Sequence, residues 1–254
     1  MKKLIYVIPK EKHSEKDIKD ILLAHSEVKF VSLVGIDLSG NDTDERIPMK
    51  IFLDDISGFE NGVIQTDGSS VVLPGIATLN NAKLDMLADA DCNWYIDYNY
   101  ENIDPETELP IDTLKIPCTL LHDDILVDSR SILKKSVETF KTTLLDLLKE
   151  NPSALSSFDF EYKDIDKLTL TSATELEFWV KTPNDKADIE ELSTSQVLKE
   201  QYWSKTKGNV RTALEQTLLL MQEYGFEPEM GHKEVGGVKA QIGEAGSLTH
   251  IMEQ

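Results

Sequence analysis

Two glutamates at alternating positions of an apolar run, Thr174-Glu175-Leu176-Glu177-Phe178-Trp179-Val180, carry the strongest chemical signal in this sequence. In an extended strand successive side chains point to opposite faces, so Glu175 and Glu177 would share one face and Leu176 would take the other. Two like charges held side by side against Phe178 and Trp179 are costly unless cations neutralise them, and hard carboxylate oxygens suit Mg²⁺ or Mn²⁺. The competing reading is a half-solvated strand whose polar face meets water. His232-Lys233-Glu234 offers the same choice between a solvated strand face and a further part of an acidic metal site. Asp67-Gly-Ser-Ser70, taken alone, is a turn.

The elements that would position these groups must come from a chain with 46 acidic and 26 basic residues among 254, a formal charge of −20. That charge repels phosphate backbones and anionic membranes, so neither nucleic acid nor a membrane is an expected partner. A hydrophobic content of 40% supports a real core in one large domain or two smaller ones. Cys92 and Cys118 are too few for a disulfide framework. The Met-Lys-Lys start leads to only a short apolar stretch, Leu4 to Ile8, before Pro9, and no stretch approaches the ~20 apolar residues of a membrane span. A cytoplasmic location is expected.

Ser14 is placed to cap a helix over 15–25, with Asp17 favourable in its first turn. A strand follows in which Val28, Phe30, Ser32 and Val34 alternate with Lys29, Val31 and Leu33, closed by the turn residues Asp37-Leu-Ser-Gly40-Asn. Met49 to Phe59 reads as one or two amphipathic helical turns, and a second strand lies near Val63 to Thr66. Residues 67–111 are turn-rich, with strand material at 93–98 and 112–127. Asp128 or Ser129 caps a long amphipathic helix that Asn151-Pro152 ends. After the Glu175 strand and an acidic loop, a second helix spans about 207–224, with Gly225 at its C-terminal cap. From Phe226 the chain is expected to be extended.

In order along the chain, these features resemble the N-terminal part of a bacterial-type glutamine synthetase. Glu27-Val-Lys-Phe-Val-Ser-Leu-Val-Gly-Ile-Asp37 with Gly40 resembles that family's first strand and Asp-x-x-Gly turn. Asp67-Gly-Ser-Ser70 resembles its Asp-Gly-Ser-Ser loop, and Asp128-Ser-Arg130 its Asp-Pro-Arg helix start. Glu175-Leu-Glu177-Phe178 resembles its Glu-x-Glu-Phe strand, and Met221-Gln-Glu-Tyr-Gly225 with His232-Lys-Glu234-Val235 its helix, glycine and His-x-Glu-Val strand. Singly these motifs are weak; their shared order and spacing from residue 26 to about 237 are what is specific.

The resemblance implies an ATP-dependent condensation of glutamate and ammonium to glutamine through γ-glutamyl phosphate. Glu175, Glu177 and Glu234 would ligate Mg²⁺ or Mn²⁺ beside ATP, consistent with charge stabilisation in phosphoryl transfer. Asp67 with Ser70 would hold ammonium, offered by a neighbouring subunit of a homo-oligomer, and Tyr202 would help to close that site. Glu229 and His232 would lie near nucleotide and glutamate. The implied fold is α+β: an N-terminal helix region (1–25), a small β-grasp-like domain (26–127) and the first, incomplete half of a catalytic α/β domain (128–254).

Departures accompany the matches. Ala173-Thr174 stands where the family has Gly-Pro, and Ser129 where it has the Pro of Asp-Pro-Arg. After Glu234 the expected Gly-Gln-x-Glu gives way to a Gly-rich stretch ending at Glu253-Gln254; if that stretch is an insertion, Glu253-Gln254 stands at the Gly-Gln, with Glu244 the other candidate for the further metal carboxylate, while the ATP pocket and the substrate-binding arginines have no counterpart. The expectation is a fragment inactive by itself. A non-catalytic relative that binds metal or a partner is the alternative, and an unrelated acidic α/β protein with a hydrolytic metal site is a third. Among only five histidines no Ser/His/Asp constellation supports the third.

Overall fold

The computed structural model describes residues 4–73, 75–76, 82–178, 180–183, 208–232, 238–240 and 250–253. The fold class is α+β, in two compact units, Met1–Thr171 and Ser172–Gln254. The first is built on a sheet in the order β1 (Val7–Ile8), β6 (Trp94–Ile103), β7 (Pro110–His122), β2 (Val28–Val34), β3 (Ile47–Pro48). β2 and β7 run parallel, and β6 and β3 flank them antiparallel. Beyond this row, β5 (Lys83–Ala88) and β8 (Ile125–Leu126) pair with the second half of β7, and β4 (Ile64–Asp67) pairs with β5.

Local chemistry explains the helices that lean on this sheet. α1 (Glu15–Ala24) starts where expected: the Asp17 N–H donates to Ser14 Oγ at 3.1 Å, and the Ser14 hydroxyl donates back to Asp17 Oδ2 at 2.7 Å. Its Ile18 and Leu22, four apart, are buried. The Met49 to Phe59 run forms two short helices, α2 (Met49–Asp54) and α3 (Ile56–Glu60). Asp55 divides them and caps the second by accepting the Gly58 N–H at 3.0 Å. Their Phe52 and Phe59 meet edge to face at 5.0 Å, and Phe52 also faces Trp94.

Two expectations fail for physical reasons. A bulge between Val28 and Phe30 sets two residues of β2 against one of β7, so the alternation slips and Val31 and Leu33 are fully buried while Phe30 and Val34 are only partly covered. The turn-rich reading of 67–111 overlooked β5, whose Leu84, Met86 and Ala88 alternate inward; its acidic and small residues masked the period of two. β6 and β7 fulfil the strands expected at 93–98 and 112–127, with Leu114, Ile116, Cys118 and Leu120 turned into the core.

α4 (Ser129–Glu150) follows β8, and Asn151 and Pro152 end it as expected. None of its residues is buried; Leu133, Phe140 and Leu147 are each more than half exposed. The second unit contains α5 (Gly208–Glu223) and a small antiparallel sheet ordered β10 (Val238–Ala240), β11 (His250–Glu253), β9 (Val180–Pro183). α5 closes with Gly225 at a φ of +79°, the Phe226 N–H donating to Met221 O at 3.0 Å and the Gly225 N–H to Gln222 O at 2.9 Å, a Schellman ending that a glycine permits. Among the described residues no helix is long and apolar enough to cross a membrane.

The packing yields a contrast measurable by urea unfolding. Phe52→Ala, which empties a fully buried site between two aromatic rings, is expected to cost about 3–5 kcal/mol. Leu147→Ala, on the exposed face of α4, is expected to stay within about 0.5 kcal/mol of the parent.

Candidate functional site

The sharpest local geometry lies where separate motifs of the first unit meet. Asp37 is buried, and its carboxylate accepts the N–H groups of Ser39 (2.8 Å) and Asn41 (3.0 Å), the Asn41 side-chain amide (3.0 Å) and the Val72 N–H (3.0 Å). The Asn41 amide and the Val72 N–H, more than offsetting burial, hold this carboxyl down at about 2. The Leu38 N–H adds a bond to Val72 O at 3.1 Å. The turn at Asp37 is thus tied to the chain just after Asp67-Gly-Ser-Ser70.

That second loop is a 3-10 turn over Gly68–Ser70, capped by Asp67. The Ser69 N–H donates to Asp67 Oδ1 at 2.9 Å and the Ser69 hydroxyl to Oδ2 at 2.7 Å; both favour the charged form, and the exposed carboxyl lies below its ordinary range. Gly68 is buried, its N–H bonded to Ala82 O at 2.6 Å, and a Cβ there would stand 2.8 Å from Ile76 Cγ2 and 3.0 Å from Leu84 Cγ. Only glycine lets the loop approach β5 this closely.

The third motif joins the first. The Ser129 N–H donates to Ile36 O at 3.1 Å, while the buried Asp128 accepts the Ser131 N–H (2.9 Å), the Ser131 hydroxyl (2.7 Å) and the Leu120 N–H of β7 (3.0 Å). Arg130, at the start of α4, makes an ion pair, donating from Nη2 to Asp89 Oδ2 at 2.6 Å. Burial pushes the Asp89 carboxyl up; Arg130 and the Asp91 N–H outweigh it and keep the group below its ordinary range. Sequence reading marked Asp37 and Asp128 as turn and cap, and missed that each also grips a distant strand or loop. Their burial, invisible in a turn motif, was the absent signal.

In the second unit the expected geometry changes. Residues 171–178 form no strand; the hydrogen-bonded strand of this region begins at Val180, so Glu175 and Glu177 precede the ladder that was to hold them. The pairing of β9 with β11 starts at Val180, and without a ladder the alternation of an apolar run does not make a strand. Both glutamates are exposed, and His232 Nε2 lies 3.6 Å from Glu175 Oε1, so two motif segments far apart in sequence do meet. Gly231 helps: a Cβ there would press on Leu214 at 2.7 Å, so the chain before His232 lies close against α5. Glu229 is exposed. Tyr202 and Glu234 lie outside the described residues, Ser70 is placed by backbone alone, and among the described residues no three His, Cys, Asp or Glu side chains form a metal-binding group. Glu175 and Glu177 are hard oxygen donors of the kind that suits Mg²⁺ or Mn²⁺.

Compared with known proteins, the chain matches no protein-family model, and no curated protein matches it.

Asp37 and Gly68 can be tested separately. Gly68→Ala is expected to destabilise the first unit by about 1–3 kcal/mol, as overpacking against β5. Asp37→Asn should speed hydrogen exchange at the Val72 amide by more than ~10-fold. Because the folded carboxyl is lowered, its stabilisation is present above the ordinary value of 3.8 and is lost as the pH falls towards about 2. The parent should therefore show an acid-unfolding component in that window that Asp37→Asn lacks, read by circular dichroism.

Proposed function

We propose that the chain is a glutamine synthetase-like protein, with the ammonium-side loop in its first unit and metal carboxylates in its second. One observation carries the reading: the turn at Asp37 is hydrogen-bonded to Val72, two residues after Asp67-Gly-Ser-Ser70, and its neighbour Ile36 to Ser129 beside Asp128, so segments that resemble the family at three separate places in the sequence meet. The reading rests on that convergence and on motif order, since overall similarity to known proteins contributes nothing.

The finer description of the first unit belongs to the same proposal. Its long strands β2 and β7 lie side by side and parallel, each with an antiparallel neighbour, and short helices link the two halves, which supports a β-grasp-like domain. Asp67 has the chemistry to hold a cation such as ammonium: it is exposed and kept ionised by the Ser69 N–H and hydroxyl. Glu175 and Glu177, with Glu234, would hold Mg²⁺ or Mn²⁺, which when bound would offset the negative charge of ATP and glutamate. Glu229, His232 and Tyr202 would lie near the substrates, and ligase activity with a homo-oligomer completes the reading. The alternative, a relative that binds metal or a partner without catalysis, draws support from the strand-free setting of Glu175 and Glu177.

Mn²⁺ titration followed by water-proton relaxation is the direct test. Weak binding is expected for the parent, at least ~10-fold weaker binding for Glu177→Gln, and parent-like binding for Asp67→Asn. If the parent and Glu177→Gln, both folded, bind Mn²⁺ alike, the pair is a solvated segment and the metal reading fails. Glutamine formation from ATP, glutamate and ammonium, assayed alongside, separates ligase from non-catalytic relative.

A further inference from the structure

Asp112 stands apart from every group considered so far. It sits near the start of β7, opposite Val28 of β2 in the parallel ladder and Tyr98 of β6 in the antiparallel one. Its side chain is 0% exposed, and neither carboxyl oxygen meets a hydrogen-bond donor among the described residues. Glu27, 1% exposed, lies at the same corner; the Asp112 N–H donates to Glu27 O at 3.1 Å, and His25 Nδ1 stands 2.8 Å from Glu27 Oε1. Among the described residues, then, Glu27 has a partner and Asp112 has none in hydrogen-bond geometry.

An ionised carboxylate without donors is costly in such a place, and a second carboxylate nearby increases the cost. Burial pushes the Asp112 carboxyl up to about 7; the Asn99 N–H pulls the other way without reaching hydrogen-bond geometry, and the charges of Glu27 and Asp97 add to the rise. The facing groups are His25 and Glu27 at the α1–β2 corner, Asp97, Tyr98 and Tyr100 on β6, and Tyr6, whose ring is 5.5 Å from that of Tyr98. Lys29, the cation next along β2, is directed to Asp104 at 4.0 Å.

We propose that Asp112 holds a proton in the folded sheet, and that its ionisation beside Glu27 loosens the seam between β2 and β7, making the first unit responsive to pH. The proton leaves to solvent, and a charge remains where the parallel ladder already carries its bulge. The sign follows from linkage: the folded state keeps a proton that the unfolded chain has released, so stability falls as the pH rises from the ordinary 3.8 towards about 7 and levels off above it. His25, 2.8 Å from Glu27 Oε1, is replaced separately as the control for that contact. The inference is independent of the metal reading.

The test is urea unfolding of the full chain across about pH 5 to pH 8.5, for the parent, Asp112→Asn and His25→Gln. The parent's folding constant is expected to fall by up to ~10-fold per pH unit below neutrality, Asp112→Asn to lose most of that slope, and His25→Gln to keep the larger part of it. An Asp112→Asn variant with the parent's slope overturns the proposal. Should that variant fail to fold, carbon-13 NMR of the parent decides: an Asp112 carboxyl titrating near neutrality supports the inference, and one titrating below ~5 overturns it.

Discussion

Strand β7 is the constraint on which the first unit depends. β2 and β6 occupy its two edges along the first half, and β5 and β8 take the two edges near its end, so each of these four strands finds its register on one 13-residue segment. A strand used on both edges must satisfy its backbone completely and offer an apolar face, and Leu114, Ile116, Cys118 and Leu120 supply that face. Pro117 would ordinarily mark an edge strand; here its carbonyl accepts the Asp89 N–H at 2.8 Å as β5 gives way to the turn before β6. From Leu120 the order passes through Asp128 to the start of α4. Burial raises the Cys118 thiol to about 12, so this residue serves the core as a small apolar group.

Aspartates show how one residue type serves opposite ends in the same unit. Asp37 and Asp128 are buried yet surrounded by backbone N–H groups, and Asp67 is exposed but gripped by Ser69; each spends its oxygens on fixing a turn or helix start. Donors aimed at a carboxylate stabilise its charge, which is why Asp37 and Asp67 lie below the ordinary range. Asp112, equally buried, has acidic neighbours and, among the described residues, no donor in hydrogen-bond geometry, and burial raises its carboxyl. Burial alone does not set the charge of Asp37 or Asp112; the donors and the charges around each carboxyl count as well. In a chain of net charge −20, that distinction separates the acids that build loops from Asp112.

Much was legible where the determinants are local. Ser14 caps α1, Asp128 caps α4, Asn151 and Pro152 end it, and Gly225 closes α5, because caps and terminators act through bonds to residues within a few positions. β6 and β7 were visible because long apolar alternation is a strong signal. Less was legible where pairing decides. β5 alternates as clearly as its neighbours, but its charged and small residues resemble a loop until β4 and β7 lie beside it. Glu175 and Glu177 have the pattern of a strand and lie before the ladder begins.

The sequence by itself determined the caps and ends of α1, α4 and α5, the acidic character of the chain and the motif order that resembles glutamine synthetase. Tertiary structure alone decided the bulge that turns Val31 and Leu33 inward, the junction of the Asp37, Asp67 and Asp128 loops, and the isolation of Asp112 beside Glu27. The physical reason is range. Capping and periodicity act within a few residues, whereas a carboxylate's partners and a strand's register are set by segments tens of residues away, which meet only when β7 assembles the sheet.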